Sequence, residues 1–232
     1  MATTLSQLAY NLLNMARGGV LSDDENISYR QVQFWVRNTR AILIRQDIQK
    51  GRTISGNIIQ MLPCVDVITV DASTCPCNVP VGCSILRTKN RIPKPIETDM
   101  RDLITKVSSI EMNARSFSII NMFRAPWTGY NKYAKSNPKA FYFDGYIWII
   151  NSNPIEKITI YGVFEDPMEL ANYTDCSNQP CFSDDSAYPI SSWMIPIMEK
   201  MIIEGNFKII LNATTDNEGD AKSETETTVN KQ

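Results

Sequence analysis

The chain has 232 residues, of which 43% are hydrophobic and 21% charged, a balance typical of a globular protein that can bury one good core or two small ones. Its formal net charge of −2 predicts no general affinity for nucleic acid or for membranes. Histidine is absent, which excludes Ser-His-Asp and Cys-His catalysis and the ordinary histidine-based metal sites.

The chain begins MATTLSQLAYNLLNMARGG, which lacks the basic and apolar segments of a secretory signal, and no stretch reaches the roughly 18 apolar residues of a membrane span. We therefore expect a cytoplasmic protein with no membrane partner. In that compartment the six cysteines are expected to be reduced thiols in turns and core. Cys75, Cys77 and Cys83 have Cys-x-Cys-x5-Cys spacing rather than the paired Cys-x2-Cys of a zinc site, so no metal or cofactor is expected.

Two helices are predicted at the start of the chain. Thr4 and Gln7 have the spacing of a capping box, and the helix that they begin should end at Gly18-Gly19. The second helix is predicted from Ser28 to Lys50 and is the longest helical pattern. Seven of its residues lie within an arc of about 120° that should face the core: Val32, Trp35, Val36, Thr39, Ile42, Leu43 and Gln46.

The opposite side of the second helix is basic. Arg30, Arg37, Arg40 and Arg45 lie within an arc of about 140°. Because Phe34, Ile44 and Ile48 lie among these arginines, this side has the mixed character of a protein–protein contact. A helix that is buried more completely within its own fold would explain the pattern equally well.

From Arg52 onward the apolar residues recur with a period of two, which indicates strands. Strands are predicted at 65–71, 81–88, 117–123 and 157–164, and a long polar-aromatic loop at 124–139. The stretch KAFYFDGYIWII (139–150) predicts a β-hairpin with Asp144-Gly145 in a type I′ turn. The hairpin and the strand at 157–164 follow one another closely, which predicts an antiparallel meander.

A last helix is predicted from Pro189 to about residue 211, with Ser191 or Ser192 as its N-cap and Pro196 tolerated in its first turn. Residues 212–232 are rich in Thr, Glu and Asn and are expected to be an acidic disordered tail.

Sequence motifs for catalysis are missing: the chain has no G-x-S-x-G and no P-loop. No catalytic, cofactor-binding or metal-binding residue is therefore predicted, and the protein is not expected to be an enzyme. A histidine-free enzyme remains one alternative. The other is a small nucleic-acid-binding accessory protein that would use the arginines of the second helix, although the acidic net charge argues against it.

Four stretches occur in the order in which they appear in a familiar group of phage proteins: ISYRQVQFWVRNTRAILIRQD (27–47), PIETDMRDLITKVSSI (95–110), ITIYGVFEDP (158–167) and YPISSWMIPIMEKMI (188–202). Over about residues 4–205 the chain resembles the head–tail connector ring proteins, or tail adaptors, of crAss-like short-tailed bacteriophages. The resemblance implies a structural virion protein of the neck or tail, assembled in the bacterial host cytoplasm. Such proteins form rings, usually of twelve copies, under the portal protein, extend the channel for genomic DNA and dock further tail or ring proteins.

Together these observations predict an α+β subunit. A helical part comprises 1–51 and 189–211, with the C-terminal helix packed on an N-terminal helical hairpin, and an antiparallel β part with long loops comprises 52–188. In a ring, the hairpin could pair with a neighbouring copy; in the alternative it completes the subunit's own sheet. The candidate interface residues are Arg30, Phe34, Arg37, Arg40, Ile44, Arg45, Trp127, Tyr130, Phe143, Asp144, Gly145 and Tyr146.

Overall fold

A computed structural model describes residues 3–16, 27–75, 84–99, 102–110, 116–130, 137–152 and 154–208. It is a mixed α+β fold with three α-helices and a seven-stranded sheet in this part of the chain, which confirms the predicted fold class. The helices are α1 (Leu5–Ala16), α2 (Tyr29–Gln49) and α3 (Ile195–Ile202). The strands are β1 (Gln60–Asp71), β2 (Ser84–Thr88), β3 (Ile104–Ser109), β4 (Ser118–Ile119), β5 (Lys139–Phe143), β6 (Tyr146–Ile150) and β7 (Lys157–Gly162).

Local capping signals define the first two helices as predicted. The Thr4 and Gln7 side chains each accept a hydrogen bond from the other residue's backbone N–H at 3.2 Å, which completes a capping box before α1. Ser28 caps α2 by accepting from Gln31 N, and Gly51 follows the helix with a φ of +77°. The predicted stop of α1 at Gly18-Gly19 lies outside the described residues.

The buried face of α2 is rotated from the predicted one. Trp35 is only partly buried and Gln46 and Ile42 are exposed, whereas Arg40 and Ile44 from the supposed outer face are buried. The buried residues are Val32, Val36, Thr39, Arg40, Leu43 and Ile44. The rotation arises because α2 packs on two neighbours: α1 and α3 on one flank, and the chain segment that follows β7 on the other.

The predicted C-terminal helix is built from three short pieces. A 3-10 turn at Ser192–Met194 leads into α3, which a π-helical turn at Ile203–Phe207 extends. Ser191 precedes the 3-10 turn in extended conformation, and a proline stands in the first turn of α3. Met198, Ile202 and Phe207 join the core formed by α1 and α2, which confirms the predicted packing. Residues 209–232, including the predicted disordered tail, lie outside the described residues.

The sheet has the order β3-β7-β1-β2-β6-β5-β4, and all its pairs are antiparallel except β4 with β5. β1 is long enough to serve two partners. Its first half pairs with β7, and its second half, from Val67, pairs with β2. A bulge between Leu62 and Val65 interrupts the half that pairs with β7, and Cys64 within it has a φ of +55°.

The predicted meander is wrong in its third strand. β5 and β6 form the predicted hairpin, but β7 leaves the hairpin and pairs with β1 and β3 instead. The position beside β6 belongs to β2. The short connection between β6 and β7 therefore did not make these two strands neighbours in the sheet. Between β1 and β3, the apolar side chains of β7, Ile158 and Ile160, are buried more completely than they would be at an exposed sheet edge.

The two ends of the strand order approach each other. Ser108 on β3 forms an antiparallel bridge with Ser116, and Phe117 N donates to Val107 O at 2.8 Å. The sheet therefore curves into a nearly closed barrel around an apolar interior that includes Leu62, Val107 and Ile160, all fully buried.

The predicted strand at 117–123 is much shorter than expected. β4 pairs with β5 at only two positions, after which the Asn121 side chain accepts from Phe123 N at 3.0 Å. This turn starts a 3-10 helix, Met122–Tyr130, in place of the predicted loop. In the predicted strand at 81–88, residues 84–88 form β2, and residues 76–83 lie outside the described residues.

The prediction of reduced cysteines is wrong for three of them. Cys64 and Cys176 form a disulfide with their Cα atoms 5.3 Å apart, and Cys75 is also disulfide-bonded. The fold explains the first bond, because it brings together two residues 112 positions apart, which sequence spacing does not reveal. Cys181 is free and partly buried, and burial, with the charge of Asp175, raises the pKa of its thiol.

Candidate interaction surfaces

Three arginines of α2 bind three consecutive residues after β7. Arg37 Nη1 forms an ion pair with Asp166 Oδ2 at 2.5 Å, and Arg45 Nη2 reaches Glu165 Oε1 at 3.4 Å. Between them, Arg40 Nη1 donates to the carbonyl oxygen of Phe164 at 2.8 Å. We call this arrangement the arginine clamp. It joins the helices to the sheet.

Arg40 is the centre of the arginine clamp and is completely buried. Its Nε donates to Pro189 O at 2.7 Å, so the same side chain also holds the segment that leads into α3. Its guanidinium lies 5.7 Å from the ring centroid of Tyr188. Burial lowers the pKa of Arg40, yet an arginine stays protonated in proteins, so its charge is stabilised by carbonyl dipoles and an aromatic face.

The arginine clamp corrects the picture of the α2 outer face. Arg40 and Ile44 were predicted to face outward, but their exposed fractions are 0% and 1%. They are buried because the segment after β7 and the loop before α3 cover that side of the helix. Arg37 and Arg45 are partly exposed and form contacts within the subunit. Among the interface residues predicted on α2, only Arg30 and Phe34 are exposed, Phe34 with 58% of its surface.

The tip of the hairpin is held by its own subunit. Asp144 and Gly145 have φ values of +50° and +81°, as a type I′ turn requires. Arg91 approaches Asp144 at 3.3 Å, and its guanidinium lies 5.8 Å from the ring centroid of Tyr146. Ile92 N donates to Gly145 O at 2.8 Å. The hairpin strands thus complete the subunit's own sheet, and the tip is docked on the segment around Arg91.

A cluster of exposed apolar side chains lies beside the hairpin. Phe123 and Trp127, four positions apart in the 3-10 helix, expose 76% and 71% of their surface, and Ile119 on β4 exposes 37%. Trp127 was predicted as an interface residue; Phe123 was missed because it was assigned to a strand. Asn121 and Pro126, which disfavour a strand, were the sequence signals for this helix. Tyr130 ends the same 3-10 helix.

A groove opens where the barrel fails to close, between the start of β3 and the end of β5. We call it the seam groove; its volume is about 660 Å³. Its floor is apolar and its rim carries Asp102 and Arg124. The lining residues include Asp102, Ile104, Val107, Ile119, Phe123, Arg124, Ala140, Tyr142, Phe143 and Ile147. Sequence reasoning missed the groove, because it arises from β4 ending after two residues.

Electrostatics at the seam groove disfavour charge. Burial, together with the negative charge of Glu97, raises the pKa of Asp102. Burial and the carboxylates of Asp102, Glu97 and Asp144 raise the pKa of Tyr142 to about 12. The apolar floor would therefore accommodate an uncharged apolar group more readily than a charged one.

Among the described residues, no group of three or more His, Cys, Asp or Glu side chains comes together in a way that could hold a metal ion. In the same part of the chain, no helix is long and apolar enough to cross a bilayer.

The match to a known protein family indicates the role that these surfaces serve. The model of the family described as phage tail ring protein 2 matches residues 7–226. The chain belongs to this family. The predicted resemblance to ring proteins of crAss-like phages is thereby confirmed, and a phage tail ring protein is a structural component of the virion. None of the curated proteins compared with the chain matches it.

Family membership also gives meaning to two of the stretches on which the resemblance was based. The arginines of the clamp belong to residues 27–47, and the residues that they bind belong to 158–167. These stretches therefore meet in space to join the helices to the sheet.

Proposed function

We propose that the chain is the subunit of a ring that lies between the portal protein and the rest of the tail. The observation that carries the proposal is the family match over residues 7–226. The ring contains twelve copies, extends the channel through which genomic DNA passes without sequence-specific binding, and docks further tail or ring proteins. It is assembled in the host cytoplasm and carries out no catalysis.

The arginine clamp supports this role. A ring subunit that contacts neighbours above, below and beside it needs a rigid connection between its helical layer and its sheet. Arg40 meets this need, because one buried side chain binds the segment after β7 and the segment before α3. The division into a helical part, 1–51 with 189–211, and a β part, 52–188, stays a prediction within this scheme.

The exposed apolar side chains supply the contacts between copies. Phe34 on α2, and Trp127 with Phe123 in the 3-10 helix, are large and exposed, and such residues are typical of protein interfaces. Arg30 lies four positions before Phe34 in the sequence, and Tyr130 lies three positions after Trp127. The docked hairpin tip, from Phe143 to Tyr146, contributes its outer surface. Arg37, Arg40, Ile44 and Arg45 act indirectly, by holding α2 in place.

The rival hypothesis of a nucleic-acid-binding accessory protein loses its main support. It depended on the arginines of α2 as phosphate contacts, but Arg37 and Arg45 are paired with carboxylates and Arg40 is buried.

Negative-stain electron microscopy of the purified full-length subunit tests the proposal. We expect ring-shaped particles with a central opening, formed in a concentration-dependent manner. The double variant Phe34→Ser and Trp127→Ser removes exposed apolar contacts without touching the core. It should shift the population toward single subunits. A protein that stays a compact monomer at all concentrations and in the presence of portal protein would contradict the proposal.

A further inference from the structure

The seam groove presents a strand edge above an apolar floor. Phe143 and Tyr146 face each other across the two-residue turn, so the alternation of an antiparallel pair directs the backbone groups of Tyr142 away from β6 and toward the groove. β4 pairs with β5 only at Lys139 and Ala140 and does not extend to Tyr142. An open edge of this kind can accept an additional extended segment.

The chain itself contains a segment of suitable chemistry directly after the described residues. Residues 209–214 read IILNAT, with three large apolar side chains and no charge. The floor of the groove is apolar, so this uncharged segment suits it, whereas the acidic sequence from Asp216 onward does not. The 24 residues after Lys208 give enough chain to lie along the groove and leave it again.

The segment begins near one part of α2, and the chain that leads into the groove of the same subunit contacts the far end of that helix. Phe207 packs on Trp35 at the start of α2, with 5.2 Å between ring centroids. Near the other end of α2, Gln49 donates to Asp99, which is three residues before Asp102. Fourteen residues of helix separate Trp35 from Gln49, or about 21 Å. The apolar residues begin at once after Lys208, so they would be used up in crossing that distance.

We infer that residues 209–214 of one copy add as a strand to the seam groove of the next copy in the ring, so that the predicted helical part 189–211 ends three residues earlier, at 208. The inference rests on the proposed ring function and names the contact that links neighbours. It is a heterologous contact between a groove and a segment, the type that generates a ring when the rotation between copies closes.

Photo-crosslinking in assembled virions tests the inference directly. Benzoylphenylalanine is placed at Phe123, an exposed aromatic position on the groove rim. We expect a denaturation-resistant species with the mass of two 26.3-kDa chains, and peptide mapping should join position 123 to residues 209–214. A cross-link within one chain, a cross-link to another virion protein, or none would overturn the inference.

Paired variants test each side of the contact in the same cross-linking assay. Tyr142→Pro removes the backbone N–H that faces the groove, whereas Tyr142→Ala removes the side chain and keeps that N–H. On the other side, Ile210→Asp places a charge on the apolar floor, and Thr227→Asp adds the same charge farther along the chain. Tyr142→Pro and Ile210→Asp should each lower the cross-linked dimer by about tenfold or more relative to its control.

Equal yields from Ile210→Asp and Thr227→Asp would overturn the inference even if Tyr142→Pro failed to fold. Intact rings without the cross-link would overturn it while leaving the proposed function in place. Virions without this chain in the neck would overturn the proposed function itself.

Discussion

Arg40 Nη1 donates a hydrogen bond to the carbonyl oxygen of Phe164 at 2.8 Å, although the two residues are 124 positions apart in the chain. The donor lies in the middle of α2 and the acceptor two residues after the end of β7, so this bond ties the helical layer to the sheet. Its position inside the fold means that the guanidinium cannot be replaced without leaving buried carbonyl groups unpaired.

Arg40→Ala should therefore lower the free energy of unfolding by about 3–5 kcal/mol, as expected when a buried charged group is removed from its partners. Arg30→Ala, at an exposed position of the same helix, should change it by less than about 0.5 kcal/mol. Urea denaturation followed by circular dichroism measures both. If the two variants were equally stable, the arginine clamp would not be what joins helix and sheet.

The ion pair of Arg37 with Asp166 can be separated from a second role of Asp166. Asp166 Oδ1 also accepts from Met168 N and caps the 3-10 helix Pro167–Asn172, a role that asparagine can keep. A double-mutant cycle with Arg37→Ala and Asp166→Asn should give a coupling of about 1 kcal/mol, since both side chains are partly exposed. The coupling should shrink as salt is added. Additive effects of the two changes would show that the pair contributes nothing.

Gly145 and Gly51 form a matched pair for testing the hairpin. Both have positive φ, +81° and +77°, so an alanine at either position is strained by about 1–2 kcal/mol. Only at Gly145 would the new Cβ also crowd a neighbour, Arg91 Cγ at 3.1 Å. Gly145→Ala should therefore destabilise the subunit more than Gly51→Ala in thermal unfolding. Gly145→Val should unfold the subunit rather than only block assembly, because β6 pairs with β2 inside the sheet. A folded Gly145→Val subunit that fails only in assembly would contradict this.

Local signals explain what the sequence predicted well. The capping box of Thr4 with Gln7, the Ser28 cap and the Asp144-Gly145 turn each depend on residues within a few positions, and each lies where expected. The errors concern contacts across long separations. Three features depend on which distant segments of the chain pack together: the burial of Arg40, the placement of β7 beside β1, and the Cys64–Cys176 disulfide. Periodicity within one element carries no information about such packing.

The candidate site divides in the same way. Large aromatic residues in a polar loop pointed to Trp127, and the structure exposes it. The sequence pattern of the α2 arginines likewise indicated an exposed interface. In the structure, Phe164–Asp166 binds three of them: Arg40 through a buried hydrogen bond, and Arg37 and Arg45 through ion pairs. The seam groove had no signal of its own in the sequence, because it is the space left where β4 ends.

Asp102 gives the subunit a pH dependence of defined sign. Its pKa is raised, so the folded state holds the proton more tightly than the unfolded chain does. Its contribution to stability is therefore complete below the unfolded-state pKa and is lost as the pH rises through the folded-state pKa.

Asp102→Asn removes that titration. The variant should lose less stability than the wild type as the pH rises above about 4, the usual pKa of an unfolded aspartate, measured by urea denaturation at each pH. Asp185→Asn, at an exposed position, should keep the wild-type profile. If stability changed with pH in the same way in the wild type and in Asp102→Asn, the raised pKa of Asp102 would be contradicted.

The central claim is that this chain forms a ring in the neck of the virion. Electron microscopy of purified virions, with the subunit carrying a small epitope tag at its C-terminus and bound by a tag-specific antibody fragment, tests it most directly. The tagged residue follows a segment predicted to lie outside the packed core, so the tag should leave the fold intact. We predict added density as a closed ring of regular spots between the capsid portal and the tail. Label found inside the capsid, at the far tip of the tail, or in no ordered array would contradict the claim.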